Sequence, residues 1–367
     1  MATETFGTFK QRTARGFRVE REPSAPWVRA AIPFIALLVA FAILSVLLLL
    51  TGVNPLQAFY QLLIAPLTDA SSALEVLVKA SPILLTGLAV LVAFTGGYFN
   101  IGAEGQFLAG AVVTAGLGVA LKEGAPLLVI PLILVAGFAA GLLWALLPAL
   151  LRVYLAVDEV VTTLLLNSVM GLALSGLLTG PWRDVGGWPR TPTISEAIRL
   201  PRLLPPSRLR AGILIGIALV LIVWFVLRRT PFGLRLRMVG MNAQAARFVG
   251  FNVRRTVLVA ALVSGGIAGL AGATEILGLQ GRLIAESSPG YGYTGVVVAM
   301  LGGLSAPGVL FAALLIALIQ SGSLGLSQAL GVPQYLGDVA QAVILLSVMA
   351  CFLLTNYRVR RRSIANG

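Results

Sequence analysis

Apolar residues in this chain come in long unbroken runs, neither alternating nor confined to one helical face. Such runs lie near 28–51, 80–98, 104–121, 125–150, 159–180, 211–228, 256–279, 291–304, 306–324 and 335–355. An α-helix rises about 1.5 Å per residue, so about 20 apolar residues cross a hydrocarbon core of about 30 Å. Barrel strands would instead alternate over about ten residues. The pattern therefore predicts an all-α, polytopic integral membrane helical bundle of about ten transmembrane helices. The 291–304 run is short and Gly-rich, which also suits a re-entrant segment. Residues 1–27 form a basic N-terminal segment, 28–355 the transmembrane domain with a polar loop at 228–255, and 356–367 a basic tail.

Composition agrees with lipid as the solvent: of 367 residues, 58% are hydrophobic and 11% charged, with mean hydropathy +0.94. Ordinary globular chains carry about 25% charged residues. The net charge of +13 could suggest nucleic acid, but the basic residues sit between apolar runs and so report topology. Lys and Arg concentrate in cytoplasmic segments near spans. Eighteen fall in 1–30, at Arg152, in 228–255 and in 358–362; nine fall at Lys79, Lys122, Arg282 and in 181–210. Both termini and the 228–255 loop are thus expected in the cytoplasm, with six spans before that loop and four after, in a bacterial-type cytoplasmic (inner) membrane. The six Arg of 181–210 run against an outside location, which a long Pro-rich loop tolerates. The first apolar run is too long for a signal-peptide core and reads as a retained anchor.

Several chemistries drop out. With no His and a single Cys, at 351, the chain cannot build a His/Cys zinc site, a disulfide or a Cys–His nucleophile from its own residues. No phosphate-binding P-loop motif is present, so ATP hydrolysis by that route is excluded.

Polar residues inside or between apolar runs are the functional candidates, because unpaired polar groups at membrane depth are costly. The stretch Gly96-Gly97-Tyr98-Phe99-Asn100-Ile101-Gly102-Ala103-Glu104-Gly105-Gln106 breaks two runs near the inner interface. Asn100 and Glu104 there suit either a helix start, through capping and the helix dipole, or a gate. Thr163 and Asn167 lie within 159–180. Thr normally bonds back to its own helix or to a neighbour, whereas Asn167, about 12 Å into the run, suits a pathway lining. Asp158 and Glu159 read as dipole partners of that helix. Glu275 falls near the outer face and reads as an interfacial, outward-leaning carboxylate or as part of a polar outer patch with Gln280, Arg282 and Glu286. The small residues of 264–272 predict close helix packing. In the central loop Asn242 can cap a short helix through Ala245, Ala246 and Arg247, which Gly250 can end. Such a helix fits a partner's groove or an anionic lipid surface.

Three motifs together resemble the membrane permease subunits of ATP-binding-cassette importers of the nucleoside and simple-sugar group. They are Phe99-Asn100-Ile101-Gly102-Ala103-Glu104-Gly105-Gln106, Thr230-Pro231-Phe232-Gly233-Leu234-Arg235-Leu236-Arg237 with the Gly240, Asn242, Ala245-Ala246 and Gly250 that follow, and Pro289-Gly290-Tyr291-Gly292-Tyr293-Thr294-Gly295 running on to Gly302. The first is similar to the nucleoside branch. The third ends Gly302-Gly303-Leu304-Ser305-Ala306-Pro307, where relatives often carry a more polar run. The resemblance implies a type II-like importer permease fold and a non-catalytic subunit. Its partners would be a second homologous permease, a cytoplasmic ATPase that binds the ATP and Mg, and an extracytoplasmic solute-binding protein. No cofactor is then expected in this chain and no nucleic acid partner. Asn100, Glu104, Gln106, Thr163, Asn167, Glu275 and Gln280 would line the path or gate for a small-molecule solute, and 241–249 would be the coupling helix. The rival readings are an ion-coupled secondary transporter using Glu104 or Glu275, and a membrane scaffold.

Overall fold

The computed structural model describes residues 17–21, 26–50, 52–184, 186–333 and 335–361. Most of the basic N-terminal segment and the end of the tail lie outside the described residues. Helix α1 (Pro26–Leu50) is followed by a broken segment of α2 (Pro55–Phe59), a π turn (Tyr60–Ile64) and α3 (Ala65–Thr68). Then come α4 (Ala70–Thr95), α5 (Ala103–Ala120), α6 (Pro126–Leu155), α7 (Glu159–Thr179) and α8 (Gly212–Arg229). Short α9 (Pro231–Met241) and α10 (Ala243–Phe248) lead into α11 (Val253–Glu275), which ends in a π turn (Ile276–Gln280). The chain closes with α12 (Tyr291–Leu301), α13 (Ala306–Leu330) and α14 (Leu336–Asn356). Strands β1 (Phe17–Arg21) and β2 (Tyr357–Arg361) pair antiparallel, with Val19 opposite Val359, so the two flanking segments meet.

Among the described residues seven helices are long and apolar enough to span a membrane: α4, α5, α6, α7, α8, α11 with its π turn, and α13. The protein is thus a multi-pass, all-α membrane bundle. One expectation needs correction, and two shorter segments complete the picture. The span expected at 80–98 begins ten residues earlier, at Ala70, because the Asp69 carboxylate accepts from Ser72 N–H and caps the helix there. Lys79 therefore lies inside α4 and not at its outer end. The run 291–304 yields a helix of 11 residues, about 16 Å long and so half a bilayer. The segment 55–68 is helical, although no apolar run marks it.

Helix α11 organises the core. Its small residues face α6 and α5: a Cβ on Gly269 would stand 2.3 Å from the Gly137 carbonyl oxygen, and one on Gly272 would stand 2.0 Å from that of Phe107. This is the backbone-to-backbone packing that small residues permit when lipid supplies no hydrophobic drive between helices. The 181–210 segment folds over one end of this core. Thr191, Ile194 and Leu200 donate backbone N–H bonds to the carbonyls of Leu283, Gly281 and Leu277. Arg199, Arg202 and Arg210 gather on Glu196, and the hydrogen bond from Arg210, with the field of Arg199, holds that carboxyl below the usual carboxylate range.

A carboxyl with a depressed folded-state pKa stabilises above its unfolded pKa and loses that contribution as pH falls through the folded one. Backbone amides of Ile194 and Leu200 are therefore expected to lose protection, measured against their intrinsic exchange rate at each pH, once pH drops below the ordinary Glu value of 4.5. The Glu196→Gln variant should show no such acid step in hydrogen exchange.

Candidate functional site

The polar break between α4 and α5 is a folded unit. Gly96 caps α4, and Gly97 takes φ +74°, a left-handed conformation that turns the chain with little room beside Gly240. Tyr98 then points into the core at 0% exposure, while Phe99 is 52% exposed. Of the aromatic pair, only Phe99 can meet a solute.

Asn100 is fully buried and uses its whole amide. Nδ2 donates to Gln106 Oε1 at 2.8 Å and to Ser264 Oγ at 2.9 Å; Oδ1 accepts from Gly102 N–H at 3.0 Å and Gln106 Nε2 at 3.1 Å. An amide offers two donors and two acceptors, so none is left over. Asn100 and Gln106 therefore tie the break to α5 and α11. Asn167 does the same from α7: its Oδ1 accepts from Gly105 N–H at 2.9 Å, and its Nδ2 donates to the Ile101 carbonyl at 2.9 Å and to Tyr293 Oη at 3.2 Å. Thr163 bonds back to the Glu159 carbonyl at 2.6 Å and packs against Gly102.

Glu104 is buried, and its Oε2 accepts from Gly292 N–H at 2.7 Å. The carboxylate thus sits at the N-terminus of α12, where the helix dipole favours negative charge. A Cβ on Gly292 would lie 2.1 Å from Glu104 N, so the half-span helix touches α5 through bare backbone. Asn100, Glu104, Gln106, Thr163 and Asn167 form one connected cluster, and it holds α5, α7, α11 and α12 together.

Two residues that the sequence left in simpler roles belong to this cluster. Glu159 pairs with Arg152 at the end of α6 at 3.0 Å and accepts from Phe99 N–H at 3.3 Å. Asp158 alone is the helix cap, accepting from Val160 and Val161 N–H. Tyr293, 44% exposed, presents a ring beside Asn167; its spacing within the Tyr-Gly-Tyr triplet carried no separate signal.

Glu275 and Gln280 stand apart at the other end of α11. Glu275 is buried, with Gln280 Nε2 donating to it at 3.2 Å, and Gln280 also bonds Ser287. The outward-leaning interfacial carboxylate is therefore corrected to an internal one, covered by the 181–210 and 281–290 segments.

At the opposite end, Asn242 Oδ1 accepts from Gln244 and Ala245 N–H, both at 3.0 Å, and starts α10; Gly250, at φ +90°, ends the turn after it. Ala245 and Arg247 are exposed, whereas Ala246 is buried. Met241, Phe248 and Val249 are 86%, 93% and 62% exposed. A capped helix flanked by bare apolar side chains thus projects from the bundle.

Residues 72–349 match the family described as branched-chain amino acid transport system / permease component. The chain belongs to this permease family. The permease is 36% identical over 345 residues to the glucose ABC transporter permease protein of Haloferax volcanii, covering 91% of this chain and 90% of that one. It is 31% identical to the guanosine ABC transporter permease protein of Bacillus subtilis, with 88% and 94% covered. A nucleoside ABC transporter permease protein of Lactococcus lactis is 30% identical, with 89% and 92% covered. No solved structure matches the permease. All three motifs quoted from the sequence fall within the matched span.

Proposed function

We propose that the permease forms the translocation path for nucleosides or simple sugars, working by alternating access while separate subunits hydrolyse ATP. The substrate class rests on the sugar and nucleoside relatives. The observation that carries the mechanism is α10: a short capped helix whose Met241, Phe248 and Val249 are bare and which leads into α11, whose small residues pack backbone-to-backbone against α5 and α6. A partner seated on α10 can push on α11, and through it on the Asn100–Glu104–Asn167 cluster and on α12. In this reading α10 is the coupling helix in the cleft of a cytoplasmic ATPase, which binds the ATP and Mg, and this chain is not itself an enzyme and holds no cofactor. A second homologous permease completes the path, and an extracytoplasmic binding protein delivers solute to the 181–210 end. The concentration of 18 of the 27 Lys and Arg in 1–30, at Arg152, in 228–255 and in 358–362 supports cytoplasmic termini in the inner membrane, with 28–355 as one transmembrane unit.

The test exploits the difference between exposed and buried positions. With ATPase and binding protein co-expressed, Met241→Asp plus Phe248→Asp should lower uptake and solute-stimulated ATP hydrolysis at least about tenfold, a coupling loss of about 1.4 kcal/mol. The thermal midpoint of the isolated permease should stay at the wild-type value, since both side chains are exposed on this chain and carry none of its core packing. Normal uptake would sink the assignment of α10. Ala246→Asp is the wrong probe, because its effect would mix coupling with a buried charge.

A further inference from the structure

On the side that carries segment 181–210, two cavities flank one lysine between α4 and the α13–α14 pair. One, of about 410 Å³, is bounded by Glu75, Arg208, Ser321 and Gln328; the other, of about 280 Å³, by Gln320 and Asp338; Lys79 lines both. Ligand pockets commonly measure about 300–1,000 Å³, so the larger of the two alone has room for a small polar ring.

Lys79 lies nine residues into α4, about 14 Å from its start, in a helix of hydropathy 2.1. A cation in such a helix marks a functional site by default. Its Nζ donates to the Gln320 carbonyl at 3.1 Å, and among the described residues no carboxylate pairs with it. Glu75, one turn away, is taken by Arg208. An ammonium has three donors, so two are left for something else. Polar groups continue beyond it: Gln320 Nε2 donates to Gln341 Oε1 at 3.1 Å, and Gln341 Nε2 donates to Thr294 Oγ1 at 2.9 Å on α12. Ser321 Oγ is buried without a partner.

Lys79 is only partly buried and opens onto both cavities, so its spare donors are available to whatever fills them. The charges of the walls choose the ligand. Lys79 and Arg208 are balanced by Glu75 and Asp338, so the chamber favours a neutral solute over an anion. Spare ammonium donors facing carboxylate and amide acceptors suit a solute whose every polar group both donates and accepts. Hydroxyls do so.

We propose that this chamber is a solute site of the permease that takes the hydroxyl-bearing sugar ring, the moiety a free sugar and a nucleoside share. Lys79 donates to ring hydroxyls, and Asp338 and the Glu75 oxygen that Arg208 does not hold accept from their neighbours. The link through Gln320 and Gln341 to Thr294 connects occupancy of the chamber to the half-span helix α12. The assignment rests on the transport reading above and adds to it where in this chain the ring is held.

The chain's single cysteine, Cys351, is buried, which permits a labelling test on the full transporter in nanodiscs. In a Cys351→Ser background, Gln328→Cys places a thiol at the exposed rim of the larger cavity. Glucose or a ribonucleoside, supplied at about twice its dissociation constant, should slow maleimide labelling about threefold by mass action, and the corresponding free base should not. Lys79→Met should remove that protection without changing the unprotected rate, and Lys79→Arg should retain part of it. Should Lys79→Met fail to insert, protection in the otherwise unaltered background decides alone. Equal protection by the free base, or full protection in Lys79→Met, would overturn the proposal. So would the absence of protection in a complex that still takes up glucose or nucleoside, and the transport reading would then stand. A complex that takes up neither would remove the transport reading and the chamber with it.

Discussion

Replacing Asn100 by Leu is expected to cost the permease roughly 3–6 kcal/mol, because a side chain of similar size then leaves several buried polar groups without partners at about 1–3 kcal/mol each. Gln106 would lose both ends of its amide pairing, Ser264 Oγ its donor and Gly102 N–H its acceptor. Water cannot make good the loss, since Asn100 and Ser264 are both at 0% exposure. Against a typical total of about 5–15 kcal/mol, a loss of this size should appear as a large fall in the thermal midpoint of detergent-purified protein and in the amount recovered from membranes. Asn100→Asp separates the contributions. It keeps Oδ1 for Gly102 and Gln106 but puts an acceptor in place of the Nδ2 donor that faced two acceptors, one of which, the Ser264 hydroxyl, can rotate to donate. At neutral pH the new carboxylate is also an unpaired buried charge at 0% exposure, so its penalty should be at least that of the Leu variant. A Leu variant as stable as wild type would mean that Asn100 has no structural hold on the α4–α5 break and would return it to consideration as a free path residue.

How much of this arrangement could be read from the residues depends on the range of the interaction. Capping is local, so Asn242 was legible: its side chain bonds N–H groups two and three residues on. The break at 96–106 was legible as a place, since four Gly and three polar side chains interrupt two apolar runs. Its internal wiring was not. Asn100 meets Ser264 across 164 positions and Glu104 meets Gly292 across 188, and spacing carries no trace of such pairs. Glu159 was misjudged for the same reason: the dipole argument sees only its own helix, while Arg152 and Phe99 reach it from two other elements. The start of α4 was lost because Glu75 and Lys79 dilute the hydropathy of its first turns, which is the same fact that makes Lys79 informative. Glu275 was placed at the right end of α11 by residue count but at the wrong exposure, because the cover over it comes from segments 181–210 and 281–290, whose packing has no apolar periodicity.

The small-residue stripe of α11 was legible as packing, yet only the structure says which Gly can bear no side chain, and here a second large effect is expected. A Cβ at Gly272 would lie 2.0 Å from the Phe107 carbonyl oxygen, 2.9 Å from Ala111 N and 3.0 Å from Phe107 C, all of them backbone. No rotamer change relieves contacts with backbone, so Gly272→Ala must force α11 and α5 apart along their crossing. Overpacking typically costs about 1–3 kcal/mol and occasionally more, and a clash wholly with main chain belongs at the upper end, about 3 kcal/mol. The same substitution at Gly176 of α7 is the matched control: nothing lies within 4 Å of its Cβ position, so the only change is a gain of helix propensity of about 0.5–1 kcal/mol. Gly272→Ala should therefore lower the thermal midpoint sharply while Gly176→Ala leaves it level or raises it. The comparison also bears on mechanism. Phe107 contacts Tyr291, with ring centroids 5.6 Å apart, and Tyr291 opens α12, so separating α5 from α11 displaces the seat of the half-span helix. Enough folded Gly272→Ala protein to assay should accordingly show ATP hydrolysis that solute no longer stimulates, whereas a variant that is stable and fully coupled would show that the α5–α11 crossing transmits nothing.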